Sequence, residues 1–197
     1  MNPRIFSVRA KDAKLPLVIV TVECEGAKTK YTITEGTYRD IGCPLSGEEI
    51  DLDTLDTIAR EDEERRALAK ALSILSYADN NKGQLFAKLK RAGFSREAAS
   101  GAVKECVMRG YINEERQMEH LVTRYARELD GPIKITAKLA SRGYSAKAAS
   151  AAIERLKLSR EIDFSESKKA LIAKKFPDGA SEDEIKKLLY KHGYGHG

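Results

Sequence analysis

The residues of this 197-residue chain best placed to do chemistry are its cations. Lys134, Lys138 and Arg142 recur at every fourth position, so on a helix they form one stripe, with Ile135 and Leu139 on the other face. Lys88 and Arg91 take related places beside Leu85 and Leu89, and Lys187 and Lys191 do so beside Leu188. Arg124 and Arg127, on the preceding helical stretch, would widen such a stripe. Cations spaced in this way contact phosphates, or an acidic protein groove, without reading bases. The same spacing also describes an ordinary solvated helix face. No aromatic series runs beside the lysines, which argues against a base-stacking platform for single strands.

Other chemistry is sparse. The chain has neither a phosphate-binding glycine-lysine loop nor a dinucleotide-binding glycine turn. His120, His192 and His196 are scattered, without Cys or His partners at metal-ligand spacing, and read as surface histidines. The pairs Glu48–Glu49 and Glu114–Glu115 open helical stretches, where the helix dipole accounts for them better than acid–base catalysis. No serine or cysteine has a plausible sequence partner for nucleophilic catalysis. The expectation is a non-enzyme with no catalytic residues, metal or cofactor.

Bulk properties point the same way. Cys24, Cys43 and Cys106 are an odd set without framework spacing, which reads as reduced thiols in the cytoplasm. No run of eighteen apolar residues and no apolar leader is present, so neither a membrane span nor a secretory signal is expected. The net charge of +5 is uneven: residues 1–60 carry −2, residues 61–130 carry +1 and residues 131–197 carry +6. A positive C-terminal third suits a polyanion or an acidic groove. With 42% hydrophobic and 33% charged residues, the chain is slightly polar for a globule and fits a thin array with much surface.

The elements that must position these residues repeat. Residues 87–103, AKLKRAGFSREAASGAV, return fifty residues later as AKLASRGYSAKAASAAI at 137–153, with nine of seventeen positions identical. A worn third copy places Leu189, Gly193 and Tyr194 where Leu139, Gly143 and Tyr144 stand. A helical period near fifty means a tandem array, and arrays suit long partners better than small substrates. Four segments are expected: a β-rich extension with an acidic helix over 1–60, and helical repeats over 61–110, 111–158 and 159–197. In the extension, the β-branched run within Pro16–Cys24 and the alternation over Lys28–Thr34 predict about three strands in residues 4–34. Thr37–Pro44 reads as irregular, and Ser46 with Glu49 as a capping box opening a helix.

Repeat one is expected as helices Glu63–Ala78, Gly83–Ala92 and Ser95–Met108, with the acidic run Glu61–Glu64 at a helix N-terminus. Repeat two is expected as Asn113–Glu128, Pro132–Arg142 and Ser145–Lys157. Gly93 and Gly143 fall at left-handed C-cap positions, Ser95 and Ser145 at N-caps, and Phe94 and Tyr144 plug the junctions between. Repeat three offers Phe164–Phe176 and a second helix opened by the capping box Ser181/Glu184. It has no third helix, which fits either a capping chain end or a truncation.

The tandem Leu-x-x-x-Gly-aromatic-Ser pattern at Leu89–Ser95 and Leu139–Ser145 resembles the RecX family of recombination regulators. ALAKALSILSYA at 67–78 with QLFAKLKRAGF, and GYIN at 110–113 with IKITAKLASRGY, resemble it too; together they cover about residues 61–194. The resemblance implies a mainly α-helical fold of three tandem three-helix units in a curved array, preceded here by a small sheet. It implies a non-enzymatic, cytoplasmic, monomeric protein that binds the filament of RecA recombinase on single-stranded DNA. Lodged in the filament groove, such a protein inhibits ATPase and strand exchange, and it binds DNA itself weakly. The chain departs from the family pattern at YADNNK (77–82), where a basic stretch is usual, and at Gln117 and Met118, where an aromatic is usual. The alternative reading is a stand-alone DNA-binding helical module, since paired short helices with a cap between them also resemble helix-turn-helix arrangements.

Overall fold

The computed structural model describes residues 2–12 and 15–195; His196 lies outside them. The chain divides into two compact units, one of residues 1–78 and 85–109, the other of residues 79–84 and 110–197.

The first unit begins with the expected sheet. Strands β1 (Arg4–Asp12), β2 (Leu15–Cys24) and β3 (Ala27–Thr34) are antiparallel in the order β1-β2-β3. Glu25 and Gly26 join β2 to β3 with φ of 50° and 80°. Positive φ at both central residues matches the right-handed twist of the flanking strands, and glycine supplies it without a steric penalty. One face of the sheet buries Ile5, Val18, Val20, Val22 and Ile33 against Ile50 and Ile58.

Two expectations for the following segment are corrected. Residues Glu35–Asp40 form a short helix, α1, rather than an irregular stretch, because the Thr34 hydroxyl accepts from the Thr37 N–H. Ser46 opens no helix: its hydroxyl donates to the Phe6 carbonyl, and residues 47–50 run beside β1, with Ile5 N–H donating to Glu48 and Ile50 N–H to Pro3. The helix instead starts after Asp51, whose carboxylate accepts from the Thr54 N–H, and continues unbroken as α2 (Leu52–Tyr77). Nothing between Ile58 and Glu63 can break it, since that stretch holds neither glycine nor proline. Glu61–Glu64 therefore sit in mid-helix rather than at an N-terminus, and their carboxylates work outward. Glu61 and Asp62 accept from the backbone N–H groups of Thr34 and Thr32 on β3. Glu63 accepts from both the N–H and the hydroxyl of Ser95.

Helices α3 (Lys82–Arg91) and α4 (Arg96–Met108) follow, with Ser95 capping α4 as expected. Ala67 and Ala71 of α2 and Ala98, Ala99 and Ala102 of α4 are all buried. Where α2 and α4 pack together, these small side chains let the two backbones approach closely.

The second unit contains α5 (Glu114–Arg127), α6 (Pro132–Ser141), α7 (Ala146–Leu158), α8 (Phe164–Lys175) and α9 (Glu182–Lys191). Asn113, Ser145 and Ser181 accept backbone N–H bonds as the expected caps, Asp163, not foreseen, caps α8 in the same way, and Pro132 occupies the first turn of α6. The Ser181/Glu184 capping box forms in full. Gly143 turns out of α6 at φ +89°. The core gathers Met118, Val122, Tyr125, Ile135, Leu139, Ile153, Leu156 and Ile162. Met118 is buried at 7% exposure as part of that core. Gln117 beside it accepts from the Tyr144 hydroxyl and donates to the Asn80 carbonyl. Tyr194, the third plug residue, is buried and donates to the Leu129 carbonyl.

No helix among the described residues is long and apolar enough to cross a membrane.

Candidate partner-binding surface

The basic residues of the second unit are organised around the turn from α5 to α6. Leu129 leaves α5 with φ of 63°, and Asp130 follows with its side chain only 4% exposed. A buried carboxylate must be paired to persist, and the Lys134–Lys138 stripe supplies the partners. Lys134 Nζ lies 2.6 Å from Asp130 Oδ1, and Lys138 binds Asp130 Oδ2. Burial pushes the Asp130 carboxyl up, but the hydrogen bonds from the two lysines outweigh this and hold it below the ordinary carboxylate range. The bond to Asp130 in turn raises the Lys138 ammonium above its usual value. Lys138 also reaches Glu128 at 3.5 Å and lies 4.3 Å from the centre of the Tyr125 ring. Arg124 and Arg142 flank the same ring at 5.7 and 5.9 Å, a cation–π arrangement. Arg124 is paired with Glu128 at 3.1 Å.

The C-terminal turn closes over this node. Gly131 N–H donates to the His192 carbonyl at 2.7 Å, and Ile133 N–H donates to the Gly193 carbonyl. A Cβ on Gly131 would stand 2.5 Å from Gly193 backbone atoms, so only glycine permits the approach. His192 Nδ1 lies 3.9 Å from Asp130. Burial, and then the neighbouring Lys134, depress the His192 imidazole below its ordinary value, so the ring is neutral at neutral pH.

The expected stripe is thus split in function. Lys134 and Lys138 are half-buried and spend their charge on Asp130. Arg127 and Arg142 are exposed, and neither forms an ion pair among the described residues. The Arg142 guanidinium lies by the Tyr125 ring, and its carbonyl accepts from Asn81. Lys187 and Lys191 are exposed on α9, and Lys88 and Arg91 are exposed on α3 in residues of the first unit.

Sequence reasoning missed two members of the surface. Arg116 and His120 stand eight and four residues before Arg124 on α5, and both are exposed. A cleft of about 460 Å³ runs along Arg116, His120, Arg124 and Arg127, and another of about 260 Å³ runs from His120 and Arg124 to Arg142. Acidic side chains punctuate this surface: Glu119 and Glu161 line the first cleft and Asp79 the second. Glu119 is already bound to Arg155. The missed signal was available, because positions 116, 120, 124 and 127 share one helix face. Asp130 was also legible, since it precedes Lys134 and Lys138 by four and eight positions. Among the described residues, no group of three or more His, Cys, Asp or Glu side chains is placed to hold a metal ion.

The architecture defines a class: a mainly helical protein of short capped helices in repeated order, carrying a three-stranded antiparallel sheet at its N-terminus. No family model matches the chain. It is 29% identical over 140 residues to the regulatory protein RecX of Stenotrophomonas maltophilia (strain K279a), covering 68% of this chain and 83% of that protein. It is likewise 29% identical over 140 residues to the regulatory protein RecX of Xanthomonas campestris pv. campestris (strain B100), covering 68% of this chain and 84% of that protein. A crystal structure of a regulatory protein RecX has the same fold, with a TM-score of 0.72 at 18% identity over 98% of this chain and 95% of that one. In sequence the chain is thus similar to regulatory proteins RecX, and it shares their fold.

Proposed function

We propose that the chain regulates homologous recombination and DNA repair by binding the RecA filament on single-stranded DNA and inhibiting its ATPase and strand-exchange activity. It acts as a monomeric, non-enzymatic, cytoplasmic protein, with single-stranded DNA contacted indirectly or weakly. The observation that carries this reading is the likeness to regulatory proteins RecX joined to an arginine-lined face. Arg116, Arg127 and Arg142 are cations that internal carboxylates leave unpaired, and such groups meet an acidic groove or a phosphate track with their full charge. Lys134 and Lys138 stay in the binding surface as its support, because their pairing with Asp130 fixes the turn that carries the arginines. Lys88, Arg91, Arg124, Lys187 and Lys191 complete the proposed set.

The test is charge reversal at Arg116, Arg127 and Arg142. These are exposed and form no ion pair among the described residues, so the triple variant is expected to keep its helical signal, with its urea midpoint lowered only by loss of the Arg142–Tyr125 contact. Its affinity for preformed RecA filament is expected to fall at least tenfold, read by sedimentation or fluorescence anisotropy. Unchanged affinity would remove these residues from the site. Salt separates the alternative: a stand-alone DNA module would bind oligonucleotide without RecA and lose that affinity steeply between about 50 and 200 mM salt.

A further inference from the structure

We infer that the first unit carries a docking groove for an extended acidic peptide segment of a partner protein, which adds to the outer edge of β3 and places a carboxylate on Arg65.

Strand β3 is an edge strand. Its Thr32 and Thr34 N–H groups turn away from β2 and are met by Asp62 and Glu61 of α2. Because strand polarity alternates, the N–H and C=O groups of Lys28 and Lys30 face the same way. The α2 carboxylates stop at Thr32, so the ladder is left open from Lys28 to Lys30. A cleft of about 570 Å³ opens at that point, between residues 29–32 of β3 and Asp62, Arg65, Arg66 and Ala69 of α2.

The charges of this cleft are unbalanced. Lys30, Arg65 and Arg66 face a single carboxylate, Asp62. Both Asp62 oxygens are occupied, one by Thr32 N–H and the other by Arg66 Nε at 2.7 Å. Arg65 Nε is buried without a hydrogen-bond partner, as is Glu61 Oε2 one turn before it, and Arg65 forms no ion pair among the described residues. Native proteins seldom leave a buried donor unpaired, and a guanidinium least of all. The cleft therefore presents a planar cation lacking its carboxylate beside a strand edge lacking its neighbour. An extended acidic peptide satisfies both at once, with main-chain bonds giving affinity and the Arg65 contact giving selectivity. A nucleic-acid phosphate would satisfy the cation and leave the alternating donors and acceptors of the strand unused. This inference stands apart from filament regulation, since it concerns residues outside the set proposed above.

The test uses the full chain and a fluorescein-labelled octapeptide of alternating glutamate and valine, followed by anisotropy and by amide shifts in NMR. The peptide is expected to move the amides of residues 28–32, and to bind at least tenfold more tightly than its lysine-for-glutamate counterpart or a version with proline at alternate positions. Arg65→Ala is expected to cost at least tenfold in affinity. Lys30→Pro, which deletes an outward N–H that an edge strand can spare, is expected to cost more than Lys30→Gln. Peptide binding that leaves residues 28–32 unmoved, or that survives Arg65→Ala, would overturn the proposal. So would labelled oligo(dT) shifting those amides when the peptide does not, and so would no binding at all. The amide map on the unmodified chain decides the matter even if a variant fails to fold.

Discussion

Asp130 shows how one side chain divides a run of cations into two kinds. Its carboxylate is buried, while the side chains of its lysine partners remain 36% and 35% exposed. Asp130→Ala leaves two ammonium groups facing each other at a covered turn. Removing one partner from a fully buried pair costs about 3–5 kcal/mol, and the partial exposure of the lysines reduces this to roughly 1–3 kcal/mol here. Urea unfolding of the variant checks that figure. Reversing Lys134 and Lys138 is expected to destabilise the fold in the same way, which makes Arg116, Arg127 and Arg142 the cleaner probes of binding.

The same node titrates. The pKa of His192 is lower in the folded chain than in the unfolded one, so the unfolded chain takes up its proton first as pH falls. Stability contributed by the docked C-terminal turn is therefore present above the ordinary imidazole value of 6.5 and declines as the pH drops below it. Asp130 works in the same sense further down: its depressed carboxyl adds stability above 3.8 that disappears at lower pH. The protection factor of the Gly131 amide, which is bonded to the His192 carbonyl, is expected to fall from pH 7.5 to 5.5, so that its exchange slows less than the intrinsic rate does. His192→Gln is expected to abolish that fall.

At the scale of elements, helix ends written in local chemistry were legible and ends decided by distant partners were not. Asn113, Ser145 and Ser181 cap with a side chain three residues from its N–H, so the sequence around each suffices. Ser46 and Glu49 carry the same local signature, yet their segment lies along β1 through backbone bonds that no short window contains. The acidic run Glu61–Glu64 misleads in a related way, because its purpose is tertiary. Glu63 reaches Ser95, thirty-two positions away, and caps the entry to α4 from outside. The Ser95 backbone bond, followed by its hydroxyl, holds the Glu63 carboxyl below the ordinary range. Glu63→Ala is expected to cost about 1 kcal/mol, as loss of a helix cap does, and a urea series against Ser95→Ala would show the two changes to be non-additive.

At the scale of the whole molecule, the fifty-residue echo was the strongest signal, and it specified the succession of capped helices that the structure contains. The candidate site was half legible. Charge spacing located Lys134, Lys138 and Arg142 on one stripe, while the fate of each charge depended on Asp130, a single acidic residue in a turn. Arg65 was not legible at all: its significance rests on lacking a partner beside a strand edge, which spacing cannot report.

Titrating the purified chain into RecA assembled on single-stranded DNA, while following ATP hydrolysis, is the most direct measurement of the proposed activity. A progressive loss of hydrolysis, complete at or below one chain per RecA protomer, is the expected result. A rate that stays constant through a full molar excess would contradict regulation of the filament by this chain.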